Sequence, residues 1–231
     1  MISIAMPTYE SFGRGAEFLE KHFEMFMKQT YKDFEVVISD HSLDNTLEEL
    51  CDKYKDRINI SYERNPHNRG NFTDNTNRAI KRCKGELVKV LFQDDFLRDE
   101  DSLRKIVEAF DSDTVWLVTS CEHTHNGVDF VERHDPVYND KIYTGNNTIG
   151  NPSVLTMANL DDMPLFDERF VWAVDVDLYK RLHDKYGPPK ILNEVTVVIR
   201  LWSRQMTHLI PADRKNKEII FSTLKHEGNK N

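Results

Sequence analysis

Cysteine is scarce and dispersed: the 231 residues hold three, Cys51, Cys83 and Cys121, with no Cys-x-x-Cys pair. That excludes a disulfide framework and a cysteine-built zinc site, and leaves reduced, partly buried thiols as the expectation. Long apolar runs are missing too. No stretch approaches the roughly 20 residues of a membrane-spanning helix, and Met1-Ile2-Ser3-Ile4-Ala5 enters a strand with no basic signal region. A cytoplasmic protein with no integral membrane segment is expected. Positive charge is in deficit, with a formal net charge of −8. Nothing supplies the basic field that phosphate backbones require, so no nucleic-acid partner is expected. Internal repeats and low-complexity segments are also lacking. A Gly-rich loop with a basic residue after the first strand is not found either, since Pro7-Thr8-Tyr9-Glu10 stands there.

What is there is an alternation of strands and helices. Ile2–Met6 reads as a strand closed by Pro7. Phe18, Leu19, Phe23, Phe26 and Met27 recur at helical spacing, and that helix ends near Gln29. A strand at Phe34–Ser39 ends in Asp40, and Leu47, Leu50, Cys51 and Tyr54 mark a helix within Ser42–Tyr54. Ile58–Tyr62 is a third strand, followed by a turn-rich segment from Asn65 to Asn71. Phe72, Thr76, Ala79, Ile80 and Cys83 form the next helical stripe, with Gly85 placed to end it. The apolar run Leu87–Phe92 then stops abruptly at Gln93-Asp94-Asp95.

Strands alternating with helices imply parallel strands joined by right-handed crossovers, so one edge collects the strand ends. Thr8, Asp40 and Asp95 are therefore expected to converge there. Ligands bind at that edge in open α/β sheets, and paired Asp oxygens suit a hard divalent cation carrying phosphates. Further on, a helix is marked by Leu103, Ile106, Val107 and Phe110, and a strand by Thr114–Ser120. Residues 121–151 show no period and read as a longer binding excursion. Strand-like Pro152–Met157, a helix over Asp175–Lys185, a strand at Val195–Trp202 and a last helix opened by Pro211 complete the chain.

The ordered pieces Ile4–Glu10, Gln29–Asp40, Gly85-Glu86-Leu87 running into Gln93-Asp94-Asp95, Gly150–Ser153, Phe166-Asp167-Glu168, Asp175–Leu178 with Arg181-Leu182, and Arg200 followed by Gln205-Met206-Thr207 cover residues 2 to about 207. Together they resemble the family-two glycosyltransferases with the GT-A fold. The resemblance implies a single α/β domain of GT-A type, with a Rossmann-like, mostly parallel central sheet flanked by helices. Residues 1–226 would form it: 1–120 the nucleotide-binding half, 121–210 the acceptor-binding half, 211–226 a carboxyl-terminal helix, with 227–231 a frayed tail. It also implies an inverting, metal-dependent transfer of a sugar from a nucleoside-diphosphate donor to an acceptor hydroxyl, in polysaccharide or glycan synthesis.

On that resemblance Pro7, Thr8, Tyr9 and Glu10 match the first nucleotide-contacting loop, and Asp40 the carboxylate that accepts a hydrogen bond from the base. Uracil and thymine offer such an N–H, which favours a UDP- or dTDP-linked donor, with GDP possible. Asn68 and Asn71 could line the same cleft, or simply build the turn. Asp95 matches the direct ligand of Mn²⁺ or Mg²⁺, Asp94 a sugar-orienting or water-mediated role, and Gln93 a position where some members carry a further acid. Asp175 matches the catalytic base, while Asp177, about 200° round the helix, is expected to be solvated. There are departures. His41-Ser42-Leu43-Asp44 is shorter than the common second motif, and Trp202 stands where many members place a metal-approaching His. His208 is out of that register, and His123, His125 and His134 lack zinc-ligand spacing. A nucleotidyltransferase of similar fold and a non-catalytic sugar-nucleotide-binding module are the alternatives.

Overall fold

The apolar runs become strands because β-branched and large apolar residues suit a sheet buried on both faces. In the computed structural model, which describes residues 1–228, the first elements are β1 (Ile2–Thr8), α1 (Gly15–Lys28), β2 (Phe34–Asp40), α2 (Thr46–Tyr54), β3 (Ile60–Arg64), α3 (Phe72–Lys81) and β4 (Leu87–Val90). The order β3-β2-β1-β4 is parallel throughout, so Thr8, paired with Asp40, and the Asp94-Asp95 turn share one edge. Then come β5 (Phe96–Leu97), α4 (Ser102–Ala109), β6 (Trp116–Thr124), β7 (Val131–His134), β8 (Leu155–Ala158), α5 (Val174–Tyr186), β9 (Lys190–Arg200), α6 (Met206–Leu209) and α7 (Ala212–Glu227). β8 is antiparallel to both β4 and β6, β9 is parallel to β6, and β5 closes the path. The expected α/β sheet flanked by helices is formed, and every antiparallel pair in it includes a strand of the carboxyl half.

The helical stripe of α1 buries Phe18, Leu19, Phe23 and Phe26 in a core that also contains Ile4, Val36 and Ile38 of the sheet and Leu47 and Tyr54 of α2. Each such side chain contributes about 1.5–3 kcal/mol on burial. Among the described residues no helix is long and apolar enough to cross a membrane.

Several expectations about boundaries need correction. Pro7 does not end β1. The Ala5 carbonyl accepts from the Leu91 N–H (3.1 Å), so Ala5 and Pro7 both face β4, whose pairing stops at Val90. The missing N–H of Pro7 falls beyond that ladder, and β1 runs on beside β2 with Pro7 opposite Ser39. Gly85 does not end α3, which stops at Lys81. It is needed where the chain presses on β1: an added Cβ would lie 2.8 Å from both the Met1 carbonyl and the Ser3 nitrogen. The segment 121–151 is not irregular throughout. β6 continues to Thr124 and pairs antiparallel with β7, the turn between them tied by the Asn126 side chain, which accepts from the Val128 and Asp129 N–H groups (2.9 Å each). Glu227 is the last residue of α7 rather than part of a frayed tail, and residues 229–231 of that tail lie outside the described residues.

Candidate active site

A cleft of ≈ 640 Å³ opens at the carboxyl edge of the parallel strands. Pro7, Thr8, Tyr9 and Glu10 all line it. Gln93 sets their position: its Oε1 accepts from the Tyr9 N–H and the Ser11 hydroxyl (3.0 Å each), and its Nε2 donates to the Gly15 carbonyl (3.0 Å). The residue standing in place of a further acid is thus a latch for the β1–α1 loop.

Asp40 is placed at the expected strand end but is turned away from the cleft, with 0% exposure. Its Oδ1 accepts from the Ser42 hydroxyl (2.7 Å), the Ser42 N–H (2.9 Å) and the Thr8 hydroxyl (3.2 Å), and its Oδ2 from the Tyr62 hydroxyl (2.8 Å). A carboxylate with these partners braces the turn after β2. His41 lines the cleft instead, as do Arg69 and Asn75. Asn68 and Asn71 are not among the cleft-lining residues. Asn71 caps α3, its side chain accepting from the Thr73 and Asp74 N–H groups (3.1 Å each), and Asn68 donates to Asp74 (3.3 Å).

The adjacent acids Asp94 and Asp95 differ sharply. Asp95 is 1% exposed, and its Oδ2 accepts from the Ser153 hydroxyl (2.6 Å) and the Asn151 amide (2.7 Å) while its Oδ1 accepts from the Arg200 N–H (3.2 Å). Burial, reinforced by the charge of Asp94, pushes its pKa up to about 7. Beneath it the buried Lys89 Nζ, its pKa lowered by burial to about 7, donates to the carbonyls of Ser153 and Leu155, tying the turn that carries Ser153 to β4. Asp94 faces the cleft. Its Oδ2 accepts from the Trp202 indole N–H (2.9 Å), and its Oδ1 has no hydrogen-bond partner among the described residues. Burial raises its pKa, and the Trp202 bond only partly offsets that. Asp95 lines the cleft as well, so both acids are at hand for a cation, and Asp94 Oδ1 is the one of their oxygens with no hydrogen-bond partner among the described residues. No group of three His, Cys, Asp or Glu side chains converges on a possible metal position among the described residues. One open carboxylate still fits Mg²⁺ or Mn²⁺, which keep waters and take further oxygens from substrate phosphates.

The far wall is the start of α5. Asp175 faces the cleft, its Oδ2 accepting from Asn147 (2.7 Å) and its Oδ1 from the Val176 N–H (2.8 Å). Burial raises its pKa to about 6, against the lowering effect of those hydrogen bonds. Asp177 does point away from Asp175, but it is not solvated. It is 0% exposed and accepts from Lys225 (2.6 Å), Arg181 (2.8 Å) and His226 (2.9 Å). Burial alone would raise its pKa; the His226 bond and the two cations outweigh that and lower it. α7, packed against this side of α5, supplies Lys225 and His226.

Sequence reasoning missed Trp172, Asn147, Asn151, Arg69 and Arg204, all of which line the cleft. Trp202 was noted only as a departure, yet its ring packs edge-on against Phe12 and Phe18 (centroids 6.3 and 5.5 Å) and places its N–H on Asp94. The imidazoles of 123–134 build no centre: His123 Nδ1 donates to the Glu132 carbonyl (2.8 Å) in the hairpin.

The fold is that of solved nucleotide-sugar enzymes. S. aureus TarS in complex with UDP-GlcNAc superposes with a TM-score of 0.72 at 20% identity, covering 96% of this chain and 66% of that one. Mannosyltransferase PcManGT from Pyrobaculum calidifontis, in complex with GDP-Man and Mn²⁺, gives 0.65 at 15% identity, covering 97% and 63%. At these identities the likeness is one of fold. The family model for glycosyl transferase family 2 matches residues 3–158, more than half of the chain, and the chain belongs to that family. Chondroitin synthase of Escherichia coli is 26% identical over 205 residues, covering 84% of this chain and 28% of its own length. Glycosyltransferase GlyG of Streptococcus pneumoniae is 26% identical over 117 residues, covering 50% and 38%. This chain thus spans well under half the length of these curated relatives.

Proposed function

We propose that the chain transfers a sugar, with inversion, from a nucleoside-diphosphate sugar to an acceptor hydroxyl in glycan synthesis. One observation carries the reading. Two carboxylates from opposite walls, Asp94 and Asp175, face one cleft at the carboxyl edge of the parallel strands, and each is held in place by a neighbour. Family membership supports it, as do the nucleotide-sugar complexes of proteins sharing the fold.

The β1 loop, with His41 and Arg69, receives the nucleotide. Asp94 would hold Mn²⁺ or Mg²⁺ through its open oxygen, and the bound cation would offset charge on the departing diphosphate. Asp175 removes the acceptor proton. Its raised pKa makes it a stronger base than an ordinary aspartate while leaving it ionised at neutral pH. The acceptor oxygen gives its electron pair to the anomeric carbon, and the bond to the diphosphate oxygen breaks with its pair leaving on the diphosphate. A single displacement inverts the centre and needs no covalent glycosyl-enzyme.

Thermal shift with UDP-, dTDP- and GDP-sugars, each with and without Mn²⁺, tests this. A donor at a hundred times its dissociation constant should stabilise the parent by about 2.7 kcal/mol. Asp94→Asn should lose the cation-dependent part. Equal stabilisation of both proteins would remove Asp94 from the cation site, and no response to any nucleotide would overturn the reading.

A further inference from the structure

α7 lies beyond the residues matched by the family model and lines no part of the cleft, yet one of its side chains reaches the backbone that does. Glu218 is 3% exposed. A carboxylate taken that far from water is costly unless its oxygens are filled by strong donors. The donors here are successive. The N–H groups of Val171 (3.1 and 3.2 Å, to the two oxygens), Trp172 (2.8 Å) and Ala173 (3.1 Å) all point at Glu218, with Arg214 Nε beside them on α7 (2.7 Å).

These N–H groups belong to the loop that immediately precedes α5. A helix start leaves its first N–H groups without intrahelical partners, and a local Ser, Asp or Asn usually accepts from one of them. Ala173, at the N-cap position of α5, has no side-chain acceptor to offer. Asp175 itself takes the Val176 N–H of the first turn, while Glu218, from another element, takes the Ala173 N–H and the two before it, its negative charge at the positive end of the α5 dipole. Eight residues further along α7, about two turns, His226 joins Lys225 in holding Asp177. α7 therefore holds α5 on its rear face through Asp177 and at its entry through Glu218, and it is the entry contact that bears on the backbone presenting Asp175.

We propose that Glu218 is a positioning residue for the transfer reaction, fixing from outside the cleft the Val171–Ala173 backbone from which Trp172 and Asp175 are presented. The proposal rests on the function given above. A merely structural carboxylate would lower stability and leave the folded enzyme's turnover unchanged.

Glu218→Gln tests it, because the amide keeps one acceptor oxygen and turns an N–H₂ toward the loop. Arg214→Ala is the milder second variant, leaving the carboxylate but removing its side-chain partner. Backbone amide exchange and steady-state kinetics are read on both. In Glu218→Gln, exchange at 171–173 should accelerate by about 10-fold or more while β1–β4 keeps its protection. Turnover should fall on the order of 10²-fold with donor KM within about 2-fold of the parent. Arg214→Ala should move both in the same direction by less, and carries the test if Glu218→Gln does not fold. Unchanged turnover, or exchange that rises equally across the sheet, would overturn the proposal. If the parent itself transfers no sugar, the assigned function fails, and local exchange alone still decides whether Glu218 holds the loop.

Discussion

On the sheet side of the cleft, Asp40 and Asp95 end parallel strands and have their oxygens filled by hydroxyls, amides and backbone N–H groups nearby. On the helix side, Asp175 and Asp177 sit two residues apart on one helix, one facing the cleft and the other locked between Arg181, Lys225 and His226. Four carboxylates of one residue type thus divide between bracing and chemistry. Distance from the strand ends does not sort them. What sorts Asp175 from Asp177 is which way the helix turns them, for Asp175 also accepts on both oxygens and still lines the cleft. Asp94 keeps an open oxygen because, among the described residues, the one side-chain donor bonded to its carboxylate, the Trp202 indole, takes just the other.

The largest expected effect separates the two acids of α5. Asp175→Asn should reduce turnover by roughly 10²- to 10⁴-fold with nucleotide and cation affinity as in the parent, measured by steady-state kinetics and calorimetry. In the parent, kcat/KM should rise through an acid limb at about pH 6 as Asp175 ionises. The same shift has a consequence for stability. Because its folded pKa lies above the ordinary value of about 4, ionisation of Asp175 costs stability as pH rises from about 4 to about 6. Asp175→Asn should melt higher than the parent at pH 8 and level with it at pH 4; a lower melting point at pH 8 would show that the carboxylate stabilises its site.

Asp177→Ala should do the reverse. It leaves Arg181, Lys225 and His226 without their common partner, and a loss of roughly 3 kcal/mol is expected, at the low end for a broken buried pair because Arg181 and Lys225 are partly exposed. The lowered pKa means that this contribution is present above the ordinary aspartate range and is lost as pH falls below it. Denaturant melts at pH 7 and pH 3 check both statements, and turnover of the folded fraction should stay close to the parent.

Next in size is the contrast between Asp94 and Asp95. Asp94→Asn should weaken Mn²⁺-dependent nucleoside-diphosphate binding by about 10-fold or more, as expected for loss of a charged partner worth about 1.5–3 kcal/mol. Asp95→Asn should retain more of that affinity, and because burial raises the Asp95 pKa to about 7 it should melt no lower than the parent at pH 8. Reversed affinities would return the cation to Asp95.

Much of the fold was legible because period and length carry it: the stripe of Phe18, Leu19, Phe23 and Phe26 and the run Leu87–Phe92 could form little else. The convergence of Thr8, Asp40 and Asp95 followed from alternation alone. What each side chain does there was not legible, since it is set by partners remote in sequence. Tyr62 fills Asp40, Asn151 and Ser153 fill Asp95, and Trp202 reaches Asp94 across 108 positions. Asp177 looked solvated because helical spacing showed that it pointed away from the cleft but not that α7 lay there. The β6–β7 hairpin was missed because the largely exposed residues of β7 carry no alternation.

Smallest is the turn that sequence placed in the cleft. Asn71→Ala should cost about 1 kcal/mol through the lost cap of α3 and leave donor binding unchanged.

The most direct measurement follows the anomeric proton by ¹H NMR while the protein turns over an α-linked nucleoside-diphosphate sugar in Mn²⁺, with acceptor or with water in its place. The β-configured product should form first, at a rate that collapses in Asp175→Asn. An α-configured first product would contradict single displacement, and no release of nucleoside diphosphate from any donor would contradict sugar transfer at this cleft.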